Sequence, residues 1–376
     1  MKILIINWRS ISDPLKGGAE VVTFEHAKRW ASEHNAKVTW IAAKHNQNLN
    51  KETIEGVEFK YLGRELERDK TLDMLISFPY FYYLVYKTYQ NEFKGKIDLI
   101  IDETHGIPFL TPLYAKEKII LYIHEVAGTI WDKMFPFPIS SFGKFFERLF
   151  LSSYKKILTI TPSQSTKLDL VNLGFNPKNI LIVENGISMK RLTSPKVKSD
   201  RFTILFLNRI VKMKGPERAL SIFKKLKEEI KDAKLIMIGA SEPDYLEEIK
   251  VKAKELGIFK DIEFKGFVSE EEKIANLQSA HALINTSYKE GWGLVNLEAN
   301  SQGTPAVTFN VEGCRDSIKN GVNGFISETE VDFVKNILKI KENNLGQPSI
   351  DYANKFKWEE KAEEFYKLIE KEVNKK

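Results

Sequence analysis

Glu290-Gly291-Trp292-Gly293-Leu294-Val295-Asn296-Leu297-Glu298 lies between two short apolar runs, Ala282–Asn285 and Ala306–Phe309. Each run has the length and β-branched content of a buried strand, and the residues from about Gly293 onward read as a helix. Strand, turn, helix, strand is the repeating unit of a parallel α/β sheet. Glu298 then falls on the first turns of the helix, and Glu290 sits in the loop before it. Carboxylates accept hydrogen bonds from vicinal hydroxyls, and backbone N–H groups at a helix start favour an anion. The spacing suits a ligand that carries sugar hydroxyls beside phosphate. Two isolated glutamates more often do no more than cap a helix and meet solvent, so the neighbouring motifs decide between the readings.

The same unit recurs along the chain. In the first half, strands are expected at Lys2–Asn7, Lys37–Ala42, Val57–Leu62, Ile97–Asp102, Ile119–His124, Ile157–Thr161 and Ile180–Val183. Helices such as Ala19–Glu33, Thr71–Glu92, Ser141–Lys155 and Ser163–Leu173 fall between them. The polar, aperiodic stretch Ser188–Asp200 reads as a linker. The pattern then restarts, with strands Phe202–Leu207, Lys234–Ile238, Ile262–Lys265, Ala282–Asn285 and Ala306–Phe309 and helices beginning near Gly215, Pro243, Ser269 and Gly293. Two doubly wound parallel sheets are expected, over residues 1–187 and 201–355, joined by 188–200. A last helix in 356–376 has apolar residues Ala362, Phe365, Tyr366 and Ile369 at helical spacing, so one face should pack on a domain. Ligands of such sheets bind beyond the carboxyl ends of the strands, and an interdomain cleft is the expected place.

At 376 residues the chain is long for one core, which agrees with two domains. No uninterrupted apolar stretch reaches the 18 or so residues that a membrane span needs, and Met1–Asn7 reads as a first strand and not as a signal peptide. Cys314 is the single cysteine, so no internal disulfide can form, in keeping with a reducing cytoplasm. The net charge of +6 is spread along the chain without a basic block or nucleic-acid fingerprint, and it is compatible with phosphate ligands or anionic lipid.

Candidate residues fall just after strands. Gly17-Gly18 open the first helix, where paired glycines allow close backbone approach to a ligand, although Gly-Gly alone also makes an ordinary turn. The pattern is not Gly-x-Gly-x-x-Gly, which counts against a dinucleotide dehydrogenase. After the strand at Phe202, the loop Asn208–Gly215 carries Arg209 and Lys214, a guanidinium and an ammonium suited to a diphosphate. His124 ends the strand Ile119–Ile123 on the ligand side, where it serves a sugar hydroxyl, the leaving phosphate or simply the structure. There is no Asp-x-Asp, no Cys pair and no His-Glu-x-x-His, so no obligatory metal is expected.

Taken together and in this order, these elements resemble the retaining nucleotide-sugar glycosyltransferases of family four, which have the two-domain GT-B fold of facing Rossmann-like sheets. The strongest part runs from Glu290 to Pro305 and is similar to the family's E-x7-E element with its trailing Gly-Thr-Pro. Asn185-Gly186-Ile187, Phe264–Val268 and Asn320–Phe325 support it, and the Trp358 helix resembles the family's last helix, which crosses back to the N-terminal domain. The resemblance implies that Glu298 binds ribose hydroxyls and Glu290 the transferred sugar. Around Gly291 and Trp292, the amides of Gly293, Leu294 and Val295 approach sugar or phosphate. Arg209 and Lys214 neutralise the departing diphosphate, Gly17 and Gly18 close over the phosphates, His124 lies beside the donor sugar, and Phe267 and Val268 line the base. It thus implies hexosyl transfer from a nucleoside-diphosphate sugar to a glycan or lipid-linked acceptor. A GT-B epimerase or phosphorylase, or a noncatalytic nucleotide-sugar binding module, are the alternatives.

Three positions depart from the family pattern: Glu125 follows His124, Ser188 follows Asn-Gly-Ile, and Glu312-Gly313 replaces Gly-Gly. On the acceptor side, Phe78–Tyr86 and Phe142–Phe150 mix aromatic and basic residues. Helices of this composition either pack inside a core or lie at a membrane interface. The second reading places the protein in the cytoplasm, peripheral at an anionic membrane face.

Overall fold

A computed structural model describes residues 1–64, 71–104 and 106–375, with the backbone alone over 71–76. The chain forms two compact units. The first comprises Met1–Gly128, Ser141–Gly186 and the C-terminal helix, and the second comprises Thr129–Ser140 and Ile187–Lys357.

In chain order the elements are β1 (Lys2–Ile6), α1 (Gly18–Glu33), β2 (Lys37–Ala43), β3 (Lys51–Ile54), β4 (Val57–Leu62), α2 (Thr71–Thr88), β5 (Leu99–Thr104), β6 (Lys118–Ile123), α3 (Trp131–Met134), α4 (Ile139–Leu151), β7 (Leu158–Thr161), α5 (Gln164–Asn172) and β8 (Ile180–Ile182). They continue with β9 (Thr203–Leu207), α6 (Pro216–Glu229), β10 (Lys234–Ile238), α7 (Pro243–Glu255), β11 (Ile262–Gly266), α8 (Glu270–Ser279), β12 (Ala282–Asn285), α9 (Leu294–Ser301), β13 (Ala306–Phe309), β14 (Gly324–Ser327), α10 (Glu330–Glu342), α11 (Gly346–Ala353) and α12 (Trp358–Val373).

The first sheet has the order β3-β4-β2-β1-β5-β6-β7-β8 and the second β11-β10-β9-β12-β13-β14. Every pairing is parallel except β3 with β4. Central strands such as Lys2-Ile3-Leu4-Ile5-Ile6 are apolar throughout because helices cover both faces of a parallel sheet. In each sheet the chain winds outward from its first strand and then jumps back to that strand's other side. The winding reverses between β1 and β5 in one unit and between β9 and β12 in the other, the points at which sheets of this kind take ligands.

Two strands lie outside the expected set. Lys51–Ile54 is a four-residue antiparallel edge strand, half exposed and polar, turned by Glu55 and Gly56, both at positive φ as a two-residue hairpin requires. Gly324–Ser327 is equally short and sits between turn residues. The polar residues that read as a linker make hydrogen bonds within the second unit. The Leu192 amide donates to the Ser301 carbonyl at 3.1 Å, and Lys198 Nζ donates to Thr304 Oγ1 at 2.7 Å.

Helix α12 folds onto α1 in the first unit. Trp30 Nε1 donates to the Ala362 carbonyl at 3.1 Å, His34 stacks on Tyr366 with centroids 3.8 Å apart, and Arg29 pairs with Glu359 at 3.1 Å. Phe365 and Ile369 are fully buried, each contributing roughly 1.5–3 kcal/mol by transfer from water. Gly186 has no room for a side chain, since a Cβ there would lie 2.5 Å from the Trp358 ring.

His26 is enclosed at this junction by Trp30, Tyr122, Trp358 and Phe365, and neither ring nitrogen has a hydrogen-bond partner among the described residues. Burial, with the nearby His124 and Arg29 adding to it, lowers its pKa to about 3. The unfolded chain therefore takes up a proton near pH 6.5 that the folded unit refuses until about pH 3. Stability is full above the unfolded value and falls as pH drops through that window, by up to about 1.4 kcal/mol per pH unit. His26→Leu should flatten the pH dependence of the urea midpoint of this unit between about pH 6 and 4. Equal slopes in the two proteins would show that the ring is not held neutral.

Candidate donor site at the β9–β12 switch point

Strand β9 ends at Leu207, and the chain turns through Asn208–Val211 into a 3-10 turn at Lys212–Lys214 before α6. Gly215 makes the entry in the left-handed conformation, φ 66°, and a Cβ there would meet the Thr286 carbonyl at 2.3 Å. Thr286, just past β12, fastens this turn from the other side: its Oγ1 donates to the carbonyls of Lys214 and Gly215 at 3.1 and 2.8 Å. The loops that leave β9 and β12 are thus locked together where the sheet reverses its winding.

This lock brings Lys214 to Glu290. Lys214 Nζ lies 2.7 Å from Glu290 Oε1, which also accepts from Ser287 Oγ at 2.8 Å. Both charged side chains are only 12% and 15% exposed, so the pair is stronger than a surface ion pair. The Glu290 amide donates to the Glu312 carbonyl at 3.0 Å. Gly313, at φ 75°, is so close that a Cβ would sit 1.8 Å from the Glu290 carbonyl. Position 312 is held through its backbone, so a glutamate there in place of glycine leaves this anchor intact. Arg209 is exposed, and no hydrogen bond or ion pair engages its guanidinium among the described residues.

Helix α9 follows from Gly293, itself left-handed at φ 71°, with the buried Asn296 bridging Asn285 at 3.2 Å and Ser317 at 2.9 Å. The first-turn amides of Leu294 and Val295 have no helical carbonyl to bond, which leaves them for an anion. Trp292 is 3% exposed and its ring packs 5.1 Å from Phe356 in the core beneath. What that residue and Gly291 present to a ligand is backbone.

Glu298 does not share the cation of Glu290. Its Oε1 lies 3.4 Å from Lys273 of α8, which also pairs with Glu270 at 2.8 Å. Burial pushes the Glu298 carboxyl above the usual range, with Glu270 adding to the lift and Lys273 opposing it. Lys273 is held above its ordinary value because Glu298 and Glu270 outweigh its own burial. Sequence reasoning missed Lys273 and Ser287, which carry no motif of their own. Beyond β11, Phe267 projects into solvent at 88% exposure while Val268 is half-buried against the core.

The other candidates belong to the first unit. Gly17 precedes α1, and its amide donates to Glu20 Oε2 at 2.6 Å, so Gly17 and Gly18 begin a capped helix. His124 Nε2 lies 3.2 Å from Glu103 Oε1 and 3.5 Å from Thr23 Oγ1, uniting the ends of β6 and β5 with α1. Among the described residues, no group of three or more His, Cys, Asp or Glu is gathered to hold a metal ion.

Residues 190–363 match the family model for glycosyl transferases group 1, and residues 16–191 match that for glycosyltransferase family 4. An uncharacterised glycosyltransferase of Methanocaldococcus jannaschii is 30% identical over 190 residues, 46% of this chain and 48% of that protein. The chain spans about half, or less, of the length of the curated relatives it matches. Among solved structures, the sucrose-phosphate synthase of Thermosynechococcus elongatus superposes with a TM-score of 0.80 at 16% identity, over 98% of each chain. Anabaena HepE in complex with UDP-glucose superposes at 0.73 and 17% identity, over 99% of this chain and 100% of that one. With its two α/β units and two adjoining family matches that run from residue 16 to 363, the chain belongs to the family 4 glycosyltransferases of GT-B fold.

Proposed function

We propose that the protein transfers a hexosyl group, with retention of anomeric configuration, from a nucleoside-diphosphate sugar to a glycan or lipid-linked acceptor. The observation that carries this reading is the Lys214–Glu290 pair at the β9–β12 switch point, beside an exposed Arg209 and the start of α9. HepE, one of the structures of like fold, is described in complex with UDP-glucose, which supports a nucleotide sugar as donor here.

Breaking a glycosyl–phosphate bond leaves negative charge on the diphosphate and builds positive charge on the sugar ring. Lys214, Arg209 and the first-turn amides of α9 take the first, and the fixed Glu290 carboxylate tolerates the second. Glu290 holds Lys214 in place before the donor arrives, so little reorganisation is required when charge develops. Glu298 takes the ribose hydroxyls, while Phe267 and Val268 flank the base. In the first unit, His124 is the group assigned to the donor sugar, and the backbone at Gly17 and Gly18 the group assigned to the phosphates.

Arg209→Ala or Lys214→Ala should lower kcat by about 10²-fold or more in a donor-consumption assay, as the loss of a preorganised charge contact does. Near-wild-type turnover in both variants would remove the loop from the mechanism. A Glu298 carboxylate must be ionised to accept two hydroxyls, and its raised pKa means that it begins to lose that charge at a higher pH than an ordinary glutamate. Affinity for a nucleotide sugar, whose phosphates stay charged, should therefore begin to fall on acidification before the ordinary glutamate range of about 4.3 is reached. In Glu298→Gln it should be weak and flat across the same range. Calorimetric titration over a series of pH values descending to the ordinary glutamate range distinguishes these outcomes, and a wild-type affinity that follows the flat profile of Glu298→Gln would separate Glu298 from the ligand.

A further inference from the structure

Helix α4 is built inside out. Its apolar residues recur at i, i+3, i+4 and i+7, the spacing that normally faces a core, yet Phe142, Phe145, Phe146 and Leu149 are 59%, 60%, 41% and 48% exposed. The inward face carries Ser140, Gly143, Glu147 and Leu151 instead. Glu147 fixes this orientation. It is 2% exposed, and its two oxygens accept the amides of Ala127 and Gly128 at 2.7 and 2.9 Å. Rotating the helix to bury the phenylalanines would strip those amides of their acceptor and leave a buried charge without its hydrogen bonds.

Soluble monomers rarely leave so continuous an apolar stripe uncovered. Its electrostatic surroundings indicate what covers it. Between residues 141 and 167 five cations, Lys144, Arg148, Lys155, Lys156 and Lys167, accompany one anion, and that anion is the inward-facing Glu147. Arg148, Lys155 and Lys156 are exposed on or just after the helix. Aromatic side chains that enter the acyl boundary, flanked by cations at headgroup level, are the chemistry of a helix lying in an anionic bilayer surface. A second copy fits less well, because a two-fold contact through this face would set its cations against their own copies. Among the described residues no helix is long and apolar enough to cross a membrane, so the contact would be peripheral.

We infer that the outward face of α4 docks this protein on an anionic lipid bilayer, with Phe142, Phe145, Phe146 and Leu149 inserted and Arg148, Lys155 and Lys156 at the phosphate level. This deepens the proposed reading of a lipid-linked or membrane-proximal acceptor by naming the element that reaches it. The test reads binding without turnover, so its failure is separable from failure of the transfer assay. Purified full-length protein is floated with vesicles of phosphatidylcholine alone or with phosphatidylglycerol added. Wild type should float with the anionic vesicles and stay behind with the neutral ones. The quadruple change F142S/F145S/F146S/L149S and, separately, R148Q/K155Q/K156Q should each lower the partition coefficient at least tenfold with melting temperature unchanged, since these side chains are exposed. No flotation of wild type, or equal flotation of both variants, overturns the inference. So does a wild-type dimer in light scattering that the quadruple change converts to monomer, because the face would then be covered by a second copy.

Discussion

Lys214 and Glu290 come from loops 76 residues apart in the chain and meet at 2.7 Å. That contact exists because β9 and β12 are neighbours in the sheet although β10 and β11 separate them in sequence. Sheets of this kind take ligands beyond the carboxyl ends of the strands where the winding reverses, and Thr286 fastens the turn that carries Lys214 there. Much else in the second unit serves this placement. Gly215, Gly293 and Gly313 take left-handed conformations where a side chain would collide with the opposing element, and Asn296 ties α9 to β12 and to Ser317. A largely buried ion pair contributes little to stability over a well-packed apolar pair of the same size. In the proposed reaction its value would lie in fixing two charges before the donor arrives.

Much of this was legible in the sequence. Continuous apolar runs such as Ile3–Ile6 and Thr203–Leu207 are legible because a parallel sheet is covered on both faces and leaves no alternation to misread. The places of Arg209 and Lys214 after β9 and of Glu290 after β12 were legible because each apolar run marks the strand that its loop leaves. What escaped depends on tertiary contact. Lys273 and Ser287 have no motif, and only the structure shows which carboxylate each engages. Glu290 and Glu298, eight residues apart, engage different lysines, Lys214 and Lys273, which their spacing in the sequence does not disclose. Residues 188–200 read as a linker, and hydropathy gives no sign of the hydrogen bonds that Lys198 and Leu192 make there. The strands Lys51–Ile54 and Gly324–Ser327 are too short and too polar or turn-bounded to stand out.

Helix α4 shows the same limit in reverse. Apolar periodicity identifies a face but not its direction. Two backbone amides, at Ala127 and Gly128, turn the polar side of α4 inward and leave three phenylalanines and a leucine outward. The loop they belong to follows His124 directly, so one carboxylate both orders a loop next to a candidate site residue and orients the outward apolar face of α4.

In the proposed reaction the β9–β12 switch point holds the diphosphate of an activated sugar. Crystals soaked with a nucleoside diphosphate test it most directly. Phosphate density should appear within hydrogen-bond reach of Arg209, Lys214 and the amides of Leu294 and Val295, with the ribose at Glu298. Nucleotide density elsewhere, with the Lys214–Glu290 pair undisturbed and solvent alone above β9 and β12, would contradict it.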